Sequence, residues 1–249
     1  MPATLSTAVE PAPGPECPPP PDMDIAISTW PNAPFRFDYF RQTMVSLIEN
    51  LSASRHTMRW VCSAETQRDP MFPWMGDELE AYCKQHAIEL SWRNEKPNLG
   101  ANMNAALKLC TAPVIWTQQD DWKMLHPLDV SPGIDWIQEH REFAILRYSW
   151  PDVPRMCPRF VAAPGGFREI LPKSTWFYGD DPHIRRADFQ HRWGWYLEGG
   201  AHASASQDLM SRLKRGGARI AASSRCYFQH FGQTSSYPRD KETRSGRRR

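Results

Sequence analysis

Two adjacent carboxylates, Asp120 and Asp121, close the short apolar run Val114-Ile115-Trp116-Thr117-Gln118-Gln119. Side by side they repel one another unless a cation or hydrogen-bond donors compensate their charge. A hard, oxygen-seeking ion such as Mn²⁺ or Mg²⁺ supplies that compensation and can hold a diphosphate at the same time. Neighbouring residues of a strand point to opposite faces, so the two Asp are expected to have separate tasks. The plainer reading is a strand-end turn whose Asp side chains cap backbone amides.

Other residues have types and positions suited to chemistry. The segment Arg93-Asn94-Glu95-Lys96-Pro97-Asn98-Leu99-Gly100-Ala101-Asn102-Met103-Asn104 leads a strand into a helix. The free N–H groups of such a helix start favour an anion; Asn98, Gly100 and Asn104 are candidates there, while in the plainer reading Asn98, Asn102 and Asn104 are turn and cap residues. Asp208, preceded by Gln207, stands near the start of a later helix, where its plain reading is an Asp that meets only the helix macrodipole. His230 follows a probable strand, and its plain reading is a packed, hydrogen-bonded histidine. His183, Arg185 and Arg186 are candidates for phosphate or acceptor contacts. Trp193 and Trp195 could stack on a sugar or base, or pack in the core.

The elements that must position these groups are legible from spacing. Asp24–Thr29 reads as a first strand. A helix follows over 38–51, with Phe40, Met44, Leu47, Ile48 and Leu51 on one face and Asp38 as its cap. Strands over 59–63 and 87–92 and helices over 76–86 and 99–110 precede the strand that ends in Asp120-Asp121. This alternation predicts an α/β fold with an open, mostly parallel central sheet flanked by helices. Ligands of such sheets bind beyond the carboxyl ends of the strands, where Ser28/Thr29, Ser63/Glu65 and Asp120/Asp121 fall. After Trp122 the pattern is less regular: a helix over 134–142, a strand over 143–148, a proline- and glycine-rich stretch, a helix opened by Ser204 and Gln207 as a capping box, and strands over 219–222 and 226–228.

A chain of 249 residues can bury a full core. The expected organisation is a disordered proline-rich arm over 1–23, one domain over 24–236, and a basic flexible tail over 237–249. The overall charge of +2 implies no nucleic-acid partner by itself, but the tail suits phosphate or an anionic membrane. Six cysteines at 17, 62, 83, 110, 157 and 226 form no CxxC pair, which argues against a disulfide scaffold or zinc knuckle. No transmembrane segment or secretory signal is expected, which makes a cytoplasmic protein the default and leaves peripheral membrane association open.

With these residues in view, the sequence resembles a family 2 glycosyltransferase with the nucleotide-diphosphate-sugar-binding fold called GT-A. The resemblance rests on Ile25–Trp30, Tyr39–Leu51, Asn98-Leu99-Gly100 with Asn104-Ala105-Ala106, Gln118-Gln119-Asp120-Asp121, Gln207-Asp208 and His230-Phe231-Gly232, and spans about residues 24–235. It implies a GT-A-like sheet, with a nucleotide-binding half over 24–122 and an irregular C-terminal acceptor-side half over 123–236. It implies a nucleotide-diphosphate-sugar donor, a UDP-sugar before others, and Mn²⁺ or Mg²⁺ as cofactor. Asp120 would face the ribose, Asp121 would be the principal metal ligand, and a returning His230 would join the metal or diphosphate. Glu65 would read the base and Thr29 would touch the nucleotide. Asp208 would deprotonate the acceptor, although the family's usual Glu-Asp is Gln207-Asp208 here. The reaction implied is an inverting displacement onto a glycan, lipid carrier, protein or modified DNA. A nucleotidyltransferase would want a glycine-rich loop after the first strand, which Thr29-Trp30-Pro31-Asn32-Ala33-Pro34 is not. A non-catalytic nucleotide- or carbohydrate-binding protein is the remaining rival.

Overall fold

The computed structural model describes residues 19–31, 33–65, 74–95, 97–150, 158–199 and 202–231. The expected N-terminal arm up to residue 18, the basic tail, and Gly232 of the C-terminal motif lie outside them. In chain order the elements are β1 (Met23–Thr29), α1 (Pro34–Asn50), β2 (Leu51–Ser52), β3 (Met58–Glu65), α2 (Trp74–Gln85), β4 (Ile88–Arg93), α3 (Leu99–Lys108) and β5 (Val114–Gln119). There follow β6 (Trp122–Met124), β7 (Leu128–Asp129), α4 (Ser131–Glu139), β8 (Phe143–Arg147), β9 (Phe160–Ala162), β10 (Arg168–Ile170), β11 (His183–Arg186), α5 (Phe189–Trp193), α6 (His202–Arg215), β12 (Arg219–Ala222) and β13 (Phe228–His230).

Nine strands form one sheet in the order β4-β3-β1-β5-β11-β8-β12-β10-β9. The first four are parallel, as the alternating pattern predicts. In the second half the sheet is mixed: β11 runs antiparallel to both β5 and β8, β12 is parallel to β8, and β10 is antiparallel to its neighbours β12 and β9. Two small sheets, β13 with β6 and β2 with β7, stand beside it.

Both faces of the sheet are covered, so its strands read as nearly continuous apolar runs. Alternation sends Ile25, Ile27 and Trp116 to one face, where Phe40, Met44 and Leu47 of α1, Leu79 of α2 and Ile134 of α4 bury them. Ala26, Val61 and Ile115 face the other way, onto Met103 and Leu107 of α3 and Leu209 and Leu213 of α6. Cys62 and Cys83 are buried in the first of these cores, as the small apolar residues expected, and Cys110 is half-buried at the edge of the second.

Three helix starts differ from expectation. α1 begins at Pro34, whose ring pre-sets a helical φ and whose missing N–H is one the first turn leaves unbonded anyway, so Asp38 lies inside the helix and caps nothing. α4 begins at Ser131, again with a proline in its first turn. α6 already runs from His202, which puts Ser204 and Gln207 within the helix rather than in a capping box. Among the described residues, no helix is long and apolar enough to cross a membrane.

Candidate active site

The polar strand ends expected to converge do so. Asp120 is buried, and its Oδ2 accepts hydrogen bonds from the Thr29 hydroxyl (2.7 Å) and the Trp30 amide (3.2 Å), tying the ends of β1 and β5 together. Arg36, from the first turn of α1, spans both carboxylates, with one nitrogen on Asp120 Oδ1 and the other 3.4 Å from Asp121 Oδ2. His230 Nε2 lies 3.1 Å from the same Asp121 oxygen. The Phe231 amide donates to the Asp121 carbonyl at 3.1 Å, and the His230 ring packs on Trp122, its register partner across β13 and β6. Strand β13 thus returns the C-terminal part of the chain to the acidic pair.

The two carboxyls are pushed apart in acidity. Burial raises Asp120, with the neighbouring Asp121 adding to the rise against Arg36, Thr29 and Trp30. Burial acts on Asp121 as well, but the His230 hydrogen bond, its charge and Arg36 outweigh it and hold that carboxyl below its usual value. Asp121 Oδ1 is buried without a hydrogen-bond partner, which is unfavourable for a carboxylate oxygen unless something else occupies it. An unsatisfied carboxylate oxygen beside an imidazole is a donor set that suits Mn²⁺ or Mg²⁺, with substrate oxygens completing the shell. Among the described residues, no group of three or more His, Cys, Asp or Glu that could hold a metal ion is gathered.

On the far side of β1, Glu65 at the end of β3 is 3% exposed, accepts from the Asn98 amide at 2.9 Å and pairs with Arg93 at 3.2 Å. Burial raises its carboxyl despite both partners. Asn98 caps α3, its side-chain oxygen accepting from the Ala101 amide at 3.0 Å. Asn102, one turn on, donates to the Thr29 carbonyl (2.8 Å) and accepts from the Ser63 hydroxyl (2.7 Å). This buried amide joins the ends of β1 and β3. Its sequence signal is the four-residue spacing from Asn98, which puts both on one helix face.

Gly100 and Asn104 face elsewhere. A Cβ on Gly100 would sit 2.1 Å from the Leu197 carbonyl oxygen, so the glycine lets the loop before α6 lie directly on α3. The Asn104 amide is consumed by the same loop: it donates to Tyr196 O (3.0 Å) and Glu198 (2.7 Å) and accepts from the Tyr196 amide (3.0 Å).

The residues around β11 are arranged by its direction. Because β11 runs antiparallel to β5, its beginning rather than its end lies at the carboxyl ends of β1 and β5. Arg186 is therefore at the opposite end, donating to the carbonyls of Ile137, Phe143 and Arg141. His183 is fully buried between the Thr117 hydroxyl (3.0 Å) and the Asp181 carbonyl (2.7 Å), and burial holds its imidazole neutral. Asp181 forms a buried pair with Arg147, which also donates to the Trp176 carbonyl at 2.8 Å.

Asp180, just before this buried pair, was not expected. Its carboxylate takes the Tyr178 hydroxyl at 3.1 Å and the Ser206 hydroxyl of α6, and burial pushes it up to about 7. With Ser28, Gln119 and Arg185 it lines a cavity of ≈ 10 Å³ for water centres, room for about one water. Arg185 is fully buried; its guanidinium lies over the rings of Phe189 (4.6 Å) and Tyr196 (5.6 Å), and it has no salt-bridge partner among the described residues. The available signal for Asp180 was Gly179-Asp180-Asp181-Pro182 directly before a polar strand, informative only once that strand is known to be antiparallel.

Asp208 is held by Arg212 one turn later at 2.8 and 2.7 Å, and Arg212 also donates to the carbonyls of Trp193 and Trp195. Trp193 packs over Gly216, where a Cβ would lie 2.3 Å from its ring, while Trp195 is exposed beside Lys108.

No family model and no curated protein matches the sequence. Solved structures do match by shape. TarS 1–349 of S. aureus, in complex with UDP-GlcNAc, aligns with a TM-score of 0.60 at 16% identity over 87% of this chain and 61% of its own. The same protein in complex with UDP gives 0.58 at 15%, over 83% of this chain and 59% of its own. The mannosyltransferase PcManGT from Pyrobaculum calidifontis, in complex with GDP-Man and Mn²⁺, gives 0.53 at 10%, over 82% and 57%. The chain therefore spans about three fifths of the length of these neighbours, and its fold is the GT-A-like arrangement they share.

Proposed function

We propose that the protein is a glycosyltransferase that moves a sugar from a nucleotide-diphosphate-sugar, a UDP-sugar before others, to an acceptor hydroxyl with inversion. The observation that carries this reading is the meeting of Asp120, Asp121 and His230 at the carboxyl ends of β1 and β5, with one oxygen of Asp121 left unsatisfied. Support from shape comes from neighbours that bind UDP-GlcNAc, UDP, or GDP-Man with Mn²⁺.

Each chain residue then has a task. Asp121 and His230 would hold the metal, and Asp120, already fixed through Thr29 and Trp30, would face the ribose. Thr29 closes the nucleotide side by orienting Asp120, and Glu65 with Asn98 lies where the base would be read. Arg36 places a guanidinium beside both carboxylates and so contributes positive charge at the diphosphate end of the site. A bound Mn²⁺ or Mg²⁺ supplies further positive charge to the departing diphosphate. Preorganised charge of this kind is commonly the largest contribution to such a transfer. Removing the acceptor's proton falls to a carboxylate on the acceptor side, where Asp208 of α6 and Asp180 before β11 both stand.

The test is release of nucleoside diphosphate from UDP-, GDP- and dTDP-sugars with Mn²⁺ or Mg²⁺. Turnover should require metal, and Asp121→Ala should abolish it while the protein stays folded. Unchanged turnover in Asp121→Ala would remove the central assignment. Asp208 bound to Arg212 is the observation favouring a binding protein without turnover; that reading predicts donor binding and no release with any donor.

A further inference from the structure

We propose that Asp180, seated across a one-water cavity from the buried guanidinium of Arg185, is the base that takes the proton of the attacking hydroxyl. The inference rests on the glycosyltransferase reading and names its acceptor-side residue.

Position comes first. The cavity that Asp180 lines is walled by Ser28 and Gln119, the residues immediately before Thr29 and Asp120. Asp180 thus adjoins the strand ends where the donor would lie. It is only half-buried, whereas its neighbour Asp181 is buried and committed to Arg147.

The partners of Asp180 leave it able to act. From its own loop it meets the Tyr178 hydroxyl, and from α6 the Ser206 hydroxyl; both are neutral donors that can move aside or stay as an acceptor oxygen approaches. Tyr178 is in turn bonded to Tyr196 at 2.6 Å. The charges facing Asp180 are Arg185 and Arg147, which favour its ionised form, and Asp181, which opposes it. Arg185 is the informative member, because a fully buried guanidinium with no salt-bridge partner among the described residues needs a counter-charge. Asp180, on the same cavity, is the carboxylate placed to supply it. The resulting acidity, about 7, is where a general base works best at neutral pH.

Asp208 is differently placed. Its carboxylate makes two charge-assisted contacts with Arg212, and that arginine is anchored to the carbonyls of Trp193 and Trp195. Such contacts are among the stronger side-chain hydrogen bonds, and accepting a proton would sacrifice them. Asp208 is then a positioning residue that holds the Trp193–Trp195 backbone onto α6.

In the step itself, the acceptor O–H bond breaks and its proton passes to a carboxylate oxygen of Asp180. The acceptor oxygen bonds to the sugar's anomeric carbon. The bond from that carbon to the diphosphate breaks, and its electron pair leaves with the diphosphate. Asp180 then returns the proton to solvent.

The experiment compares two acceptors, water and azide, with UDP-GlcNAc, GDP-mannose and dTDP-glucose as donors in the presence of Mn²⁺. Water must lose a proton as it attacks and azide has none to lose. Asp180→Asn is expected to bind donor as wild type does, to form glycosyl azide within about twofold of wild type, and to lose roughly 100-fold or more of donor hydrolysis. The rise of wild-type hydrolysis with pH through about 7 should vanish in the variant. Asp208→Asn should lose both reactions in equal proportion. Hydrolysis at the wild-type rate in Asp180→Asn overturns the proposal, as does an equal loss with water and azide, or a water-specific loss in Asp208→Asn instead. A wild-type protein that binds none of the donors overturns the glycosyltransferase reading itself, and this inference with it.

Discussion

His230 Nε2 lies 3.1 Å from Asp121 Oδ2 although 109 residues separate them in the chain. The contact is built by backbone: β13 pairs with β6, His230 stands opposite Trp122, and the Phe231 amide binds the Asp121 carbonyl. An imidazole brought in this way offers a second donor beside an unsatisfied carboxylate oxygen. His230→Ala should therefore weaken Mn²⁺-dependent UDP binding by about one order of magnitude or more, as losing one ligand of a metal site does. Titration calorimetry with UDP, with and without Mn²⁺, checks it. A loss of the same size without metal would assign His230 to packing on Trp122 instead.

A second prediction concerns α3 and the loop it carries. Gly100→Ala would place a methyl group 2.1 Å from the Leu197 carbonyl oxygen, a backbone atom that cannot turn away. The loop before α6 must lift, taking with it the Tyr196 contacts to Asn104. Overpacking of this kind costs about 1–3 kcal/mol. Thermal unfolding should show the loss, and proteolysis should find new cleavage near residues 195–199; a variant as stable and as resistant as wild type would mean that the loop does not rest on Gly100.

These two cases also divide what the sequence carries from what it does not. The β1–β5 half was legible because each strand is a short apolar run and each helix repeats its apolar residues every three to four positions. Asp120 and Asp121 could be singled out because adjacent carboxylates at a strand end admit few uses, and His230 through the family resemblance. Arg36 and Asp180 could not, since an Arg in a first helical turn and an Asp in a Gly-Asp-Asp-Pro stretch are common surface residues. Their importance follows from partners 84 and 26 positions away in Asp120 and Ser206. β11 itself is invisible to periodicity, because His183-Ile184-Arg185-Arg186 carries a single apolar residue, and its reversed direction is invisible with it. That reversal decides that Arg186 is remote from the site and Asp180 adjoins it.

Asp129 makes a prediction about pH. Burial alone would raise its carboxyl, but the Ser54 hydroxyl (2.6 Å), the Ser131 amide (3.0 Å) and the Ser54 amide (3.1 Å) outweigh it and hold it well below the usual carboxylate range. A depressed folded value means that the ionised form stabilises the fold. That contribution is complete above the unfolded value near ~3.9 and is lost as pH falls through the folded one. Since the group is exposed and accepts its hydrogen bonds from Ser54 and the Ser131 amide, Asp129→Ala should cost only about 1 kcal/mol at pH 7. Urea unfolding at pH 7 and at pH 3 should show the gap between wild type and variant narrowing in acid; a gap that widens there contradicts the assignment.

The last prediction separates scaffold from chemistry at the strand ends. Asn102 is not itself assigned to the donor, yet its amide donates to the Thr29 carbonyl and accepts from the Ser63 hydroxyl, all of them buried. Asn102→Ala leaves a buried carbonyl and a buried hydroxyl without partners, at about 1–3 kcal/mol for each group not rescued by water. Because Thr29 fixes Asp120 through its own hydroxyl at 2.7 Å, movement of the β1 end would reach the acidic pair directly. Asn102→Ala should therefore lower both thermal stability and donor affinity. Asn102→Asp keeps the acceptor for Ser63 but replaces the donor to Thr29 with a second acceptor, and places another negative charge near Asp120. It should bind UDP more weakly than the alanine variant. If the two variants bind donor equally well, the Thr29 link does not hold Asp120 in place, and the acidic pair keeps its geometry through Arg36 and Trp30 alone.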